Sequence, residues 1–261
     1  MLDQVTEALA ALETGGAFAT ELTLSSKDLK LEVDGVGPVR FPITASTARK
    51  LCAVTRPAPF GRGARTLHDR RVRDTGEIDE SKIGIEGDAW DNVLAPQLAI
   101  LQERLGLPAD GTLEAVFDKM LVYGPGQFFA THQDSERDDT MIASLVVELP
   151  SAHEGGALVV EHRGKTQTFS RASLGPKELG LFAFYADCHH EVKPVTSGYR
   201  VTLSYQLLFR QGRASKKRKA PDANAIARLE ASVKAYFATP VVPRYSTTAP
   251  QPPDRLVYLL D

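Results

Sequence analysis

Apolar residues recur at helical spacing at the start of the chain, at Leu2, Val5, Leu9 and Leu12, and the run stops at Gly15-Gly16, which predicts a helix over residues 2–14. Residues 29–43, LKLEVDGVGPVRFPI, alternate apolar and polar positions around a glycine-containing turn, the pattern of a hairpin. Thr44 opens a short helical pattern through TASTARKLCAVT that ends before Pro57. A longer one runs from about Asp88 through Trp90, Val93, Leu94 and Leu98 to Leu105, with Pro96 as a kink and Gly106 as its stop. From Lys119 to Phe209 the texture changes to short β-rich runs punctuated by Gly and Pro: MLVYGPGQFFATH, MIASLVVELP, GALVVEHRGKTQTF, GLFAFYAD and YRVTLSYQLLF. Strands at this density without intervening helices predict an antiparallel sandwich or barrel, so the fold class is α+β with a mainly β core. A basic connector, RQGRASKKRKAPDA, leads to a helical pattern over 224–238 and then to an extended proline-rich stretch.

This pattern divides the chain into an N-terminal helical and hairpin segment, 1–118, that supports a β core, 119–210, followed by a C-terminal extension, 211–261. The last residues, LVYLLD, form an apolar run with nothing after it to pack against, as expected of a chain that continues beyond Asp261.

With 261 residues, 43% hydrophobic and 25% charged, the chain is long enough to bury a substantial core. A net charge of -2 argues against nucleic acid as a partner, and the short SKKRK run reads as a solvated linker. Cys52 and Cys188 are too few for a disulfide framework, and the acidic amphipathic N-terminus is not a secretion signal, so the expected location is the cytoplasm. No apolar run approaches the roughly 20 residues that span a bilayer, which excludes an integral membrane protein.

Between the two central helical patterns lies a stretch without regular periodicity that carries Arg56, Arg62, Arg65, Arg70, Arg71 and Arg73. It reads either as a solvated loop or as a segment presenting guanidinium groups to an anionic substrate or a carboxylate.

Candidate chemistry begins at His132 and Asp134. Positions i and i+2 of an extended strand share a face, so this imidazole and carboxylate can converge on one divalent metal, which needs at least one more ligand. His68, His153, His162, His189 and His190 are available. His189 and His190 end the apolar run GLFAFYADC. Adjacent strand residues point opposite ways, so one of the two can face inward, and periodicity does not choose between them. Further on, Arg200, Thr202, Ser204 and Gln206 alternate with Val201, Leu203, Tyr205 and Leu207. This is either a strand with a solvated polar face or, in a closed barrel, a polar lining in which Arg200 grips a carboxylate and Thr202 or Ser204 adds a hydroxyl donor.

The order H-x-D, distant H, then R-x-T, set in YGPGQFFATHQD, LPSAHEGGALVVEH and FYADCHHEVKPVTSGYRVTLSY, resembles the Fe(II)- and 2-oxoglutarate-dependent dioxygenases of the prolyl 4-hydroxylase-like group over residues 119–209. The resemblance implies a double-stranded β-helix, or jelly roll, with flanking helices. It implies Fe(II) held by His132, Asp134 and His190 as a facial triad, because the family's distal histidine precedes an E-V-x-P segment. It further implies 2-oxoglutarate and dioxygen as co-substrates, ascorbate as an accessory reductant, Arg200 with Thr202 on the distal carboxylate, and Tyr123 lining that pocket. The implied reaction hydroxylates a protein side chain, prolyl or other, or a small molecule, releasing succinate and carbon dioxide. The alternative is a non-catalytic jelly-roll module that binds or senses.

Two departures from the family pattern stand out. Ala157 follows Gly155 and Gly156 where a glutamate is common, and MIASLVVELP offers no tyrosine to supplement Arg200. The two glycines read as turn residues, Cys188 as a small residue at a strand end, and His153 and His162 as residues either behind the ligands or at the surface, with the surface favoured. Glu136, Asp138 and Asp139 would lie at the barrel mouth, facing substrate or solvent.

Overall fold

Side chains two apart on a strand share a face, and the two faces of one long sheet here meet different partners. The computed structural model describes residues 2–10, 16–62, 65–134, 140–212, 223–240 and 252–253. Four helices are present among them: α1 (Leu2–Ala10), α2 (Ala45–Val54), α3 (Gly87–Arg104) and α4 (Ala223–Ala238). Contacts group the chain into two compact units, Gly16–Ala214 and Met1–Gly15 with Ser215–Asp261. In the smaller unit α1 packs on α4, burying Val5, Ala8 and Ala225.

Two antiparallel sheets, flanked by three smaller ones, form the frame of the larger unit. The major sheet has seven strands, in the order Ala19–Ser25, Glu178–Tyr185, Met141–Glu148, Arg200–Gln211, Gly111–Tyr123, Gly76–Asp79 and Arg56–Pro57. The minor sheet has five, in the order Lys165–Phe169, Leu158–His162, His189–Val192, Phe128–His132 and Arg73–Asp74. Together they are the two halves of a double-stranded β-helix.

The alternation along each central strand sorts its side chains between two cores. Val201, Leu203, Tyr205 and Leu207 point outward with Leu145 and Val147, and pack against Ala48 and Leu51 of α2 and Trp90, Leu94 and Leu101 of α3. Trp90 is 2% exposed, and its indole N–H donates to the Tyr205 hydroxyl at 3.1 Å, so the helix layer is keyed to the sheet by a satisfied polar contact. A second core, including Tyr123, Phe182 and Phe184 of the major sheet and Phe129, Leu158, Val160, Phe169 and Val192 of the minor one, fills the space between the sheets. The Phe169 and Phe182 rings stack there at 4.9 Å between centroids.

Local signals explain the element ends. Thr44 caps α2 by accepting from the Thr47 N–H, and Gly106 follows α3 with φ of 72°, the left-handed conformation that lets the chain leave a helix. The hairpin pattern forms Leu31–Val33 paired with Gly37–Val39.

Two expectations need correction. The arginine-rich stretch is not an irregular loop: it contains Arg56–Pro57, Phe60–Arg62, Arg65–Leu67 and Arg73–Asp74, strands too short to leave a periodicity. The strand expected from Lys119 begins at Gly111, because Gly111–Phe117 pairs along the far end of Arg200–Gln211 before a register shift between Phe117 and Lys119. The SKKRK run and the LVYLLD end lie outside the described residues.

Candidate metal centre

Strand register brings the first group of site residues together. In the minor sheet His132 stands directly across from His190, and Asp134 follows two residues later. His190 is buried while His189 is exposed, as opposite strand faces require. One ligand atom from each of His132, Asp134 and His190 lies within 4.8 Å of the others. Asp134 Oδ1 is 3.8 Å from His132 Nε2 and 3.6 Å from His190 Nε2.

The remaining polar atoms of these residues are tied back into the protein. His132 Nδ1 donates to the Ala130 carbonyl at 2.9 Å and His190 Nδ1 to the Cys188 carbonyl at 3.2 Å, which leaves the Nε2 lone pairs facing the centre. The Ser144 hydroxyl, from the major sheet, donates to Asp134 Oδ2 and leaves Oδ1 facing the two imidazoles. Two imidazole nitrogens and one carboxylate oxygen, converging and already oriented, fit a borderline divalent ion such as Fe(II). A Ser144→Ala substitution is expected to weaken metal binding about tenfold, since outer hydrogen bonds of this kind typically contribute about 10–100-fold; competition with a chromogenic chelator measures it.

Burial, reinforced by the neighbouring His190, pushes the His132 imidazole down to about 3, so it is neutral and able to ligate at physiological pH. Burial raises the Asp134 carboxyl, but His190, His132, the Ser144 hydroxyl and Arg73 outweigh it and hold the group below its ordinary value. The sign for stability follows. Below the ordinary histidine value of 6.5 the unfolded chain takes up a proton that the fold accepts only near 3. Metal-free protein should therefore lose stability as pH falls through that window, by up to about 1.4 kcal/mol per pH unit. Urea midpoints between pH 7 and pH 4 in chelator should show this slope, and His132→Gln should flatten it.

A second group faces the same interior from the major sheet. Tyr123 stands directly across from Arg200 in register, and Glu148 directly across from Thr202. Arg200 and Thr202 are each 1% exposed. Arg200 Nε donates to Glu148 Oε2 at 3.0 Å, and its guanidinium lies 5.5 Å from the centre of the Tyr123 ring. Among the described residues, Arg200 Nη2, Thr202 Oγ1 and Glu148 Oε1 are buried with no hydrogen-bond partner. Two orphaned donors on one strand face are the chemistry that an anionic ligand group would satisfy. Gly156, with φ of 68°, leaves room for this arginine, since a Cβ there would stand 3.0 Å from Arg200 Cδ.

Of the two places open to His153, the favoured surface one does not hold: its side chain is 1% exposed and its Nε2 lies 3.7 Å from Glu148 Oε1. The His153–Gly155 strand pairs with Val195–Gly198 and turns the imidazole inward. Burial lowers its pKa.

The arginine-rich stretch divides by partner. Arg56 engages Glu77 and Asp79, Arg70 engages Asp74, and Arg71 engages Asp69. Arg73 is different: it donates to the Pro59 carbonyl at 2.6 Å and lies 4.3 Å from the centre of the Phe129 ring, which stacks on His132. Cys188 is buried, its thiol pushed up to about 12 by burial and by Asp187. Glu136, Asp138 and Asp139 lie outside the described residues.

Glu148, Ser144, Phe129 and Arg73 were not singled out from the sequence. The signal for the first two was present: in MIASLVVELP, Ser144 and Glu148 fall on one face of an otherwise apolar strand, four residues apart.

Residues 119–206 match the model of the 2OG-Fe(II) oxygenase superfamily. None of the curated proteins matches the chain. Among solved structures, the chain is similar to a prolyl-4-hydroxylase from Pseudomonas putida, with 21% identity, 78% of this chain and 99% of that one covered, and a TM-score of 0.45. It is similar to a prolyl hydroxylase from Trichoplax adhaerens in complex with a hypoxia inducible factor oxygen degradation domain peptide fragment, with 15% identity, 79% and 91% coverage, and a TM-score of 0.44. A viral collagen prolyl hydroxylase from Paramecium Bursaria Chlorella virus-1, in a 2OG complex, is similar at 14% identity, 74% and 97% coverage, and a TM-score of 0.42.

Proposed function

We propose that this chain, whose residues 119–206 match the model of the 2OG-Fe(II) oxygenase superfamily, is such an oxygenase and hydroxylates its substrate with Fe(II) held by His132, Asp134 and His190. The observation that carries the assignment is the convergence of Asp134 Oδ1 with two imidazole Nε2 atoms whose Nδ1 partners are already fixed. Fe(II), when bound, supplies the coupling between oxidative decarboxylation of 2-oxoglutarate, giving succinate and carbon dioxide, and insertion of one oxygen atom into a substrate C–H bond. The chain's own part is placement. Ser144 fixes which carboxylate oxygen of Asp134 faces the centre, and the Phe129 and Phe184 rings pack on the two imidazoles and keep water from them. Arg200 Nη2 and Thr202 Oγ1 hold the distal carboxylate of 2-oxoglutarate beside Tyr123.

Prolyl peptides are the first substrates to test, because the sequence resemblance is to the prolyl 4-hydroxylase-like group. Arg73, on the ring that stacks against His132, is placed to meet an acidic or carbonyl group of the substrate. The test is incubation with Fe(II), 2-oxoglutarate and labelled dioxygen, with and without candidate peptides. Succinate should form even without substrate, and a hydroxylated product should carry one labelled oxygen. Iron-loaded protein that binds 2-oxoglutarate yet never releases succinate would instead be a binding module.

A further inference from the structure

Resting on that assignment, we infer that Glu148 sets co-substrate specificity: by occupying the Nε edge of Arg200 and cancelling its charge, it narrows the preference of the pocket for a carboxylate over an uncharged tail.

The cluster is a closed electrostatic unit. Glu148, Arg200 and Thr202 are each 1% exposed, so neither charge is relieved by solvent. The 3.0 Å contact between Arg200 Nε and Glu148 Oε2 makes them a buried pair of zero net charge. His153, the third titratable side chain, has its pKa lowered by burial, which favours the uncharged imidazole. The other cation within range, Arg171, donates to the Glu178 and Gly175 carbonyls and feels the Glu178 carboxylate besides Glu148.

A carboxylate entering this space gains hydrogen bonds from Arg200 Nη2 and Thr202 Oγ1, both buried without a partner among the described residues. It also brings a negative charge next to Glu148 Oε1, which is buried and has no hydrogen-bond donor among the described residues. Like charges close together in a dry site oppose binding strongly, whereas an uncharged apolar tail meets no such repulsion and also gains nothing from the two donors. Arg200 by itself would discriminate sharply for a dicarboxylate; Arg200 with Glu148 discriminates less.

The experiment is anaerobic isothermal titration of the Fe(II)-loaded protein with 2-oxoglutarate and with 2-oxovalerate, whose tail ends in a methyl group instead of a carboxylate. Glu148→Gln keeps an acceptor for Arg200 Nε and removes the charge. It should tighten 2-oxoglutarate binding at least tenfold while changing 2-oxovalerate binding less than threefold. Glu148→Asp, which keeps the charge, should retain the wild-type ratio of the two dissociation constants. The ratio is the decisive reading, because damage to the fold would weaken both ligands together. An unchanged or reduced preference for 2-oxoglutarate in Glu148→Gln overturns the inference while leaving the oxygenase assignment intact. Failure of the wild-type protein to bind either 2-oxo acid overturns both.

Discussion

Replacing His190 by alanine is expected to lower Fe(II) affinity by more than about 100-fold and to bring 2-oxoglutarate turnover below detection. Groups that merely orient a ligand typically contribute about 10–100-fold to metal affinity, so loss of a ligand atom should exceed that range. His190 holds its place through strand pairing on both sides, to Phe128–His132 and to Leu158–His162, so the backbone should survive the substitution. Chelator competition and succinate release measure the two losses, and far-UV circular dichroism checks the sheet. The neighbouring His189→Ala is the control: that side chain is exposed and should leave both quantities unchanged.

The second large effect belongs to Arg200. Arg200→Met should abolish measurable 2-oxoglutarate binding and also destabilise the fold by about 3–5 kcal/mol, because it strands the Glu148 carboxylate without its partner in a solvent-free site. Pairing it with Glu148→Leu should recover most of the stability without recovering binding, since an apolar pair of similar volume often replaces a buried ion pair at little cost. Urea unfolding of the four proteins in a double-mutant cycle, run beside calorimetric titration, separates the two consequences. If Arg200→Met alone were as stable as wild type, the buried pair would not have the coupling described above.

Much of this architecture was legible because strand alternation is a strong signal. The period-2 pattern of Arg200–Leu207 anticipated two faces, and the structure places its apolar set under the helices and its polar set in the interior. His189 and His190 show the limit of that signal. Alternation says that one of two neighbours faces inward; the choice of His190 comes from the E-V-x-P resemblance, and register across the sheet, His132 opposite His190, supplies its physical reason. His153 meets the same limit for a related reason. A lone histidine beside two glycines carries no periodicity, and what buries it is a three-residue strand whose partner lies some forty positions away. Arg73 was indistinguishable from its five arginine neighbours until pairing with Phe128–Phe129 put it on an aromatic ring.

The contact between Trp90 and Tyr205 gives the protein an optical probe of its own. The chain contains one tryptophan, so all indole emission originates at the seam between α3 and the outward face of the Arg200–Gln211 strand. The opposite face of that strand carries Arg200 and Thr202. Loss of helix–sheet packing must expose the indole and shift its emission to longer wavelength. Unfolding, and its displacement by metal or a 2-oxo acid, can thus be followed by intrinsic fluorescence with no label and no ambiguity about where the signal arises.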